Sequence, residues 1–345
     1  MRIATEEIIP GEGVTEVRML SDYFPDLAGT AGDTQIYVLQ GEQEGGSCLI
    51  LGGTHANELG GHMGAVLFVE NAKVEAGTLY VIPRNQQQCL YAQRPPWKGI
   101  PSTVHITTDE GNVREFIHGS RATNPVDQWP DPDVYVNYMG QSLSGSENRN
   151  INRTYPGKAD GTLTEMMSYG IVQLINTENI DVTVDLHEAS PEYPVINALI
   201  AHERAMNLAS NVVVDMQMEG VQISLEPSPT DLRGLTHREL GDHTDTLALL
   251  MEAPNPAQGR LRDRTDEALV LTGKSETYVK AGEIGQLYVP YDENGWPIEV
   301  RCARHVFGIE RILANYSEMY EEPIIVTGMP SYDEACEKWN GSLPQ

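Results

Sequence analysis

His55 and Glu58 stand three residues apart in the run SCLILGGTHANE, residues 47–58. A neutral imidazole nitrogen and a carboxylate oxygen are both zinc ligands, so this short turn offers a metal two of them. The plainer reading is a helix start whose first acidic residue answers the helix dipole. His187 repeats the pattern where the apolar run DVTVDL, residues 181–186, gives way to His187-Glu188-Ala189. Three protein ligands with a fourth position open to water describe a catalytic zinc site, whereas a structural one is closed by a fourth ligand. Asp185, two residues before His187, is placed to orient the imidazole, as a metal-bound His demands. Alternatively, Asp185 and His187 only satisfy strand-end backbone groups. Glu252 follows the apolar run TLALLM. A carboxylate there can take a proton from metal-activated water and pass it to a leaving amine, although a capping or salt-bridged Glu would look the same. Residues 148–157, NRNINRTYPG, bring together two Arg and three Asn. Arg grips carboxylates with a fixed fork and Asn binds the same group or a carbonyl; the ordinary alternative is a polar surface turn.

These residues need a frame that brings them together. Residues 48–51 form a short apolar run bounded by Gly, which suits a buried strand. Gly52 and Gly53 break it, and from Asn57 onward Leu59, Met63, Leu67 and Val69 recur at helical spacing. Residues 78–82 (TLYVI) read as a second strand, closed by Pro83-Arg84-Asn85. Strand, helix, strand is the signature of a parallel sheet with a right-handed crossover. Ligands bind such sheets beyond the carboxyl ends of the strands. If strands 48–51 and 181–186 are parallel neighbours, His55, Glu58 and His187 converge there. Further strands are expected at 34–40, 195–200, 221–226, 246–251 and 323–326, and helices at 203–218, 262–281 and 300–320. A helix capped by Thr164 is expected to follow that residue. Residues 231–245 read as a polar loop in which Arg233, His237, Arg238, Glu239 and His243 are dense enough to suggest a substrate wall, solvated loop charges being the plainer reading. Between 84 and 163 regular patterning fails, yet Trp97, Trp129, Tyr135 and Tyr138 argue for order, so these are read as ordered loops over the site.

The chain has 345 residues, 40% hydrophobic and 21% charged, with a net charge of −27. That charge excludes a general nucleic-acid or anionic-membrane partner and requires locally concentrated Arg for any anionic substrate. No apolar run is long enough to span a bilayer, and the start, MRIATEEIIPGEG, lacks a basic-then-apolar signal pattern. The four cysteines (Cys48, Cys89, Cys302, Cys336) form no CxxC pair, consistent with reduced, structural thiols. The expectation is a cytoplasmic protein with a small-molecule partner and no indicated oligomer. Its organisation is expected to be a polar lead-in (1–33), a single catalytic domain (34–330) holding a loop insert (84–163), and a C-terminal tail (331–345).

Taken in order, His55-x-x-Glu58, Asn152-Arg153-Thr154-Tyr155-Pro156-Gly157, Asp185-Leu186-His187 and Glu252 after a strand resemble the zinc carboxypeptidase superfamily. The Asp-Leu-His form resembles its succinylglutamate desuccinylase/aspartoacylase branch. The motifs span residues 47–255. The resemblance implies a three-layer α/β/α fold with a mixed, mostly parallel sheet and long loops over the active-site edge. It implies one zinc ion per chain held by His55, Glu58 and His187, a substrate carboxylate bound by Asn152 and Arg153, and Glu252 as general base and acid. A further Arg polarises the scissile carbonyl in that family. Arg149 is the first candidate here and Arg121 the second. Known members carry a C-terminal β-rich domain, whereas the chain after residue 255 reads mostly helical. The expected activity is deacylation of an N-acyl amino acid or a related carboxylate-bearing amide. The alternatives are a carboxypeptidase on the same site, a non-catalytic zinc or ligand-binding protein on the same fold, and a metal-free acidic interaction protein.

Overall fold

A computed structural model describes residues 7–87, 102–108, 111–262 and 264–338. Cys89 and Trp97 lie outside them. The first strands are β1 (Glu16–Met19), β2 (Gln35–Gln40) and β3 (Gln43–Leu51), followed by helix α1 (Leu59–Asn71) and β4 (Lys73–Ile82). Two small hairpins come next, β5 (Thr103–Thr107) with β6 (Val113–Ile117) and β7 (Val134–Val136) with β8 (Ser142–Ser144). Helix α2 (Leu163–Glu178) leads to β9 (Val182–Ala189) and β10 (Ala198–Ala201). Helix α3 (Met206–Met218), β11 (Ser224–Pro227), α4 (Thr236–His243) and β12 (Leu247–Pro254) complete the centre. The rest comprises α5 (Glu267–Thr272), α6 (Glu276–Glu283), α7 (Ile298–Tyr320), β13 (Ile325–Thr327) and α8 (Tyr332–Lys338).

Nine strands form one mixed sheet in the order β1-β2-β4-β3-β9-β12-β10-β11, with β13 on β4. Its centre is parallel: β4 with β3, β3 with β9, and β9 with β12. Antiparallel pairs flank that centre, β2 on β4 at one side and β10 on β12 at the other. Alternation along the central strands divides the core in two. Cys48, Ile50, Val184 and Leu186 face α1, α3 and α7, whereas Leu49 and Leu51 face α2. Helices therefore cover both faces, the expected α/β arrangement with a mixed sheet. Helix α1 is buried from Leu59 to Glu70, because it runs between the sheet and α7 rather than along the surface.

Several local readings change. The lead-in supplies edge strand β1 and places Leu20, Phe24 and Leu27 in the core. The cap of α2 is Thr162 rather than Thr164, in a reciprocal capping box with Glu165. The supposed polar loop contains α4, whose charges are paired rather than solvated: Arg233 with Glu239, and Arg238 with Glu203 and Asp242. The expected helix over 262–281 divides into α5 and α6, because left-handed Gly273 (φ 60°) ends one and Ser275 caps the next. Among the described residues no helix is long and apolar enough to cross a membrane.

Candidate metal centre and active site

The parallel centre of the sheet brings the expected residues to one edge. Leu51 pairs with Asp185 across β3 and β9, and His187 pairs with Glu252 across β9 and β12. Beyond Leu51 the chain must reverse tightly to present His55. Gly53 makes that turn with φ 62°, and a Cβ there would lie 2.6 Å from the Pro83 carbonyl oxygen. Only glycine suits both demands.

His55, Glu58 and His187 are buried together, with ligand atoms within 4.8 Å of one another. Glu58 lies between the two rings. Its Oε1 is 2.7 Å from His55 Nδ1 and its Oε2 is 2.9 Å from His187 Nδ1. The outer nitrogens are also engaged: His55 Nε2 is 2.9 Å from Asn150 Oδ1, and His187 Nε2 is 2.8 Å from Asp185 Oδ2. Every partner of the two rings is an acceptor, so Glu58 and the outer groups compete for each ring's proton; a proton on Nε2, held by Asn150 or Asp185, leaves Nδ1 free to ligate a metal beside Glu58. In that tautomer two lone pairs and a carboxylate face one another and need a proton or a cation between them. The donor set, two imidazoles and one carboxylate, is one that divalent zinc takes, so these residues fit a metal site.

The charges in this pocket are unevenly shared. Burial opposes a charged His187, but Asp185 and Glu58 outweigh it and hold the ring well above its ordinary pKa. Burial lowers His55, against the pull of Glu58. Burial also works against an ionised Glu58, yet the two histidines keep it well below the usual carboxylate range. Asp185 is anchored in turn, its Oδ1 accepting a 2.6 Å hydrogen bond from the Thr54 hydroxyl. Glu252 has a buried Oε2 with no hydrogen-bond partner among the described residues. Burial pushes its carboxyl up to about 8, helped by Glu58 and opposed by His187.

A cavity of ≈ 660 Å³ opens in front of this group, and His55, Glu58, His187, Glu252, Asn152, Arg153 and Arg121 all line it. The Asn152 Oδ1 accepts from both the backbone nitrogen (2.8 Å) and the hydroxyl (3.0 Å) of Thr236, which turns the amide NH2 to the cavity. Arg153 donates to the Asn152 carbonyl at 2.5 Å. Arg121 is exposed in the lining, while Arg149 does not line the cavity. The Arg149 guanidinium is held by both oxygens of Asp131, at 2.6 and 2.8 Å, and by the Thr123 carbonyl at 2.8 Å. Asn150 and Thr236 escape the sequence reading. Asn150 lies inside the Asn-rich run that drew attention to Asn152, but its role appears only once its side chain meets His55. Thr236 begins a helix whose existence the polar composition hid.

No family model and no curated protein matches the chain. Solved structures do. The cell shape determinant Csd4 of Helicobacter pylori aligns with a TM-score of 0.50 at 13% identity, over 88% of this chain and 58% of that one. A metallo-carboxypeptidase of Burkholderia cenocepacia gives 0.48 at 13% identity over 89% and 65%. A succinylglutamate desuccinylase of a Silicibacter species gives 0.44 at 15% identity over 83% and 61%. At such identities the likeness is one of fold. The chain spans under two thirds of the length of each of these structures.

Proposed function

We propose that the chain is a zinc-dependent amide hydrolase acting on a small substrate that carries a carboxylate, an N-acyl amino acid being the favoured class. One observation carries this reading: two imidazoles and a carboxylate bring their ligand atoms within 4.8 Å of one another, in a cavity that also holds a Glu with an unpartnered oxygen. His55, Glu58 and His187 would hold one zinc ion, with Asn150 and Asp185 fixing the rings. When bound, the metal polarises the scissile carbonyl and acidifies water. Glu252 takes a proton from the attacking water and returns it to the departing amine as the C–N bond breaks. Arg121 faces the developing oxyanion, a role for which Arg149 is less suited because Asp131 already holds it. Arg153 and the Asn152 amide hold the carboxylate, which fixes the amide against the metal site.

Peptide trimming is the second reading. It is favoured by a cavity of ≈ 660 Å³, ample for more than an acetylated amino acid, and by the tripeptide-bound form of Csd4 among the structures of similar fold. Kinetics with N-acyl amino acids and short peptides, on zinc-supplied protein, separate the two. In either case Glu252→Gln should retain metal yet lower kcat by about a hundredfold or more. Undiminished turnover would remove Glu252 from the mechanism.

A further inference from the structure

The cavity has a second wall that the reaction does not use. On β12, Leu249 and Met251 point into the core beneath α3 and α7, and on β10 Leu199 and Ala201 do the same. Alternation turns Leu250 and Glu252 to the opposite face, together with Ala198 and Ile200. Ile200 and Leu250 are register partners, two positions along from the pair Ala198 and Glu252. Nearer the strand start the same face is covered, since Ala248 packs with Leu240 of α4 in the second core. Ala198, Ile200 and Leu250 join neither core. With Val195 they form a separate apolar cluster, and Ile200, Leu250 and Val195 line the cavity beside Glu252. Leu235, only 5% exposed, closes it from the start of α4.

Ile200 and Leu250 are each only 3% exposed, so this apolar face, which no helix covers, forms a narrow floor of the cavity beside the base, fit to seat an apolar group of the substrate. The carboxylates near this end argue against a second acidic group. Glu192 and Glu226 line the cavity, and Glu192 is held in place by the Tyr278 hydroxyl at 2.7 Å. Arg260, the lining cation at this end, follows Gly259 in the loop beyond β12 and donates its backbone nitrogen to the same Glu192. The net charge of −27 adds a general repulsion.

We infer that the amino-acid half of the substrate carries an apolar side chain, seated on Ile200 and Leu250, rather than an acidic one. This rests on the hydrolase reading for the word substrate, but the pocket can be tested without turnover. The experiment is calorimetric titration of the zinc-supplied Glu252→Gln protein with the N-acetyl derivatives of leucine, phenylalanine, aspartate and lysine. The leucine and phenylalanine compounds should bind at least about tenfold more tightly than the other two. A Leu250→Ala change in that background, which adds no charge to the fold, should shrink the preference. Equal or tighter binding of the aspartate compound, an unchanged preference in the Leu250→Ala protein, or no binding at all would overturn the inference. Binding with the expected preference, without hydrolysis by the unmodified protein, would uphold the pocket and count against the hydrolase reading alone.

Discussion

His55 and His187 divide their ring nitrogens between two tasks. Each Nδ1 faces Glu58, and each Nε2 faces an acceptor that fixes the ring, Asn150 in one case and Asp185 in the other. Partners of this kind set the tautomer and the ring angle of a metal ligand. Asp185→Asn and Asn150→Ala should therefore each weaken zinc binding by about ten- to a hundredfold in chelator competition. Retained affinity in both would show that the rings need no outer support. A second residue-scale expectation concerns His305 on α7, buried with neither ring nitrogen hydrogen-bonded among the described residues. Burial, with Arg304 adding, depresses it to about 3. The unfolded chain takes up that proton near pH 6.5, so the stability tied to a neutral His305 is complete above about 6.5 and falls as the pH drops towards 3. Replacing His305 by Leu should flatten the acid limb of urea-unfolding stability by up to about 1.4 kcal/mol per pH unit. An unchanged slope would mean that the ring is charged, or solvated, in the folded protein.

At the scale of elements, the sheet edge that carries the candidate site is tied together from behind. Glu188, next to His187, donates its backbone nitrogen to Glu58 Oε2 at 3.1 Å, and its carboxylate accepts from Gly60, Asn255 and Arg301. The end of β9, the start of α1, the exit of β12 and helix α7 thus meet at one buried ion pair, 2.9 Å long and with both side chains 0% exposed. A Cβ at Gly60 would lie 2.5 Å from Glu188 Oε1, so a larger residue there must displace the ion-paired carboxylate. Removing one partner strands a buried charge: Arg301→Met should cost about 3–5 kcal/mol in denaturant unfolding, and adding Glu188→Gln should restore much of it. If the double variant is no more stable than the single one, the loss lies in packing rather than in charge. The parallel core of this edge was legible in the sequence because apolar runs ending in Gly or His mark buried strands. Helix α4 was not, since its eight residues, Thr236–His243, are mostly polar and draw their stability from ion pairs that only the fold creates. Nor was β1, a four-residue strand whose partner lies across a turn-rich segment. The motif positions were readable, but which Arg reaches the cavity was not. That depends on Asp131 capturing Arg149, a contact between loops that no periodicity encodes.

Across the whole molecule the dominant feature is a net charge of −27 around a cavity that offers Arg121 and Arg153 near the metal ligands. On the proposed function, an anionic substrate would approach against the general field and be held by close contacts, which salt screens less than it screens the field. Raising ionic strength from about 0.01 to 0.15 M should therefore raise kcat/KM for a carboxylate-bearing substrate, as the Debye length shrinks from about 30 to 8 Å. A steady fall over that range would mean that the arginines, rather than the overall charge, dominate the approach. The long insert places Arg121, Asn152 and Arg153 on one side of the cavity, while β10, β12 and the loop after β12 build the other.

The central claim is that His55, Glu58 and His187 hold a metal. Plasma mass spectrometry tests it most directly, on protein purified without chelator or a metal-affinity column, beside a His187→Ala variant. The expected result is close to one zinc per chain, falling sharply in the variant while the fold persists by circular dichroism. No zinc in the unmodified protein, even after zinc is supplied, would contradict the account.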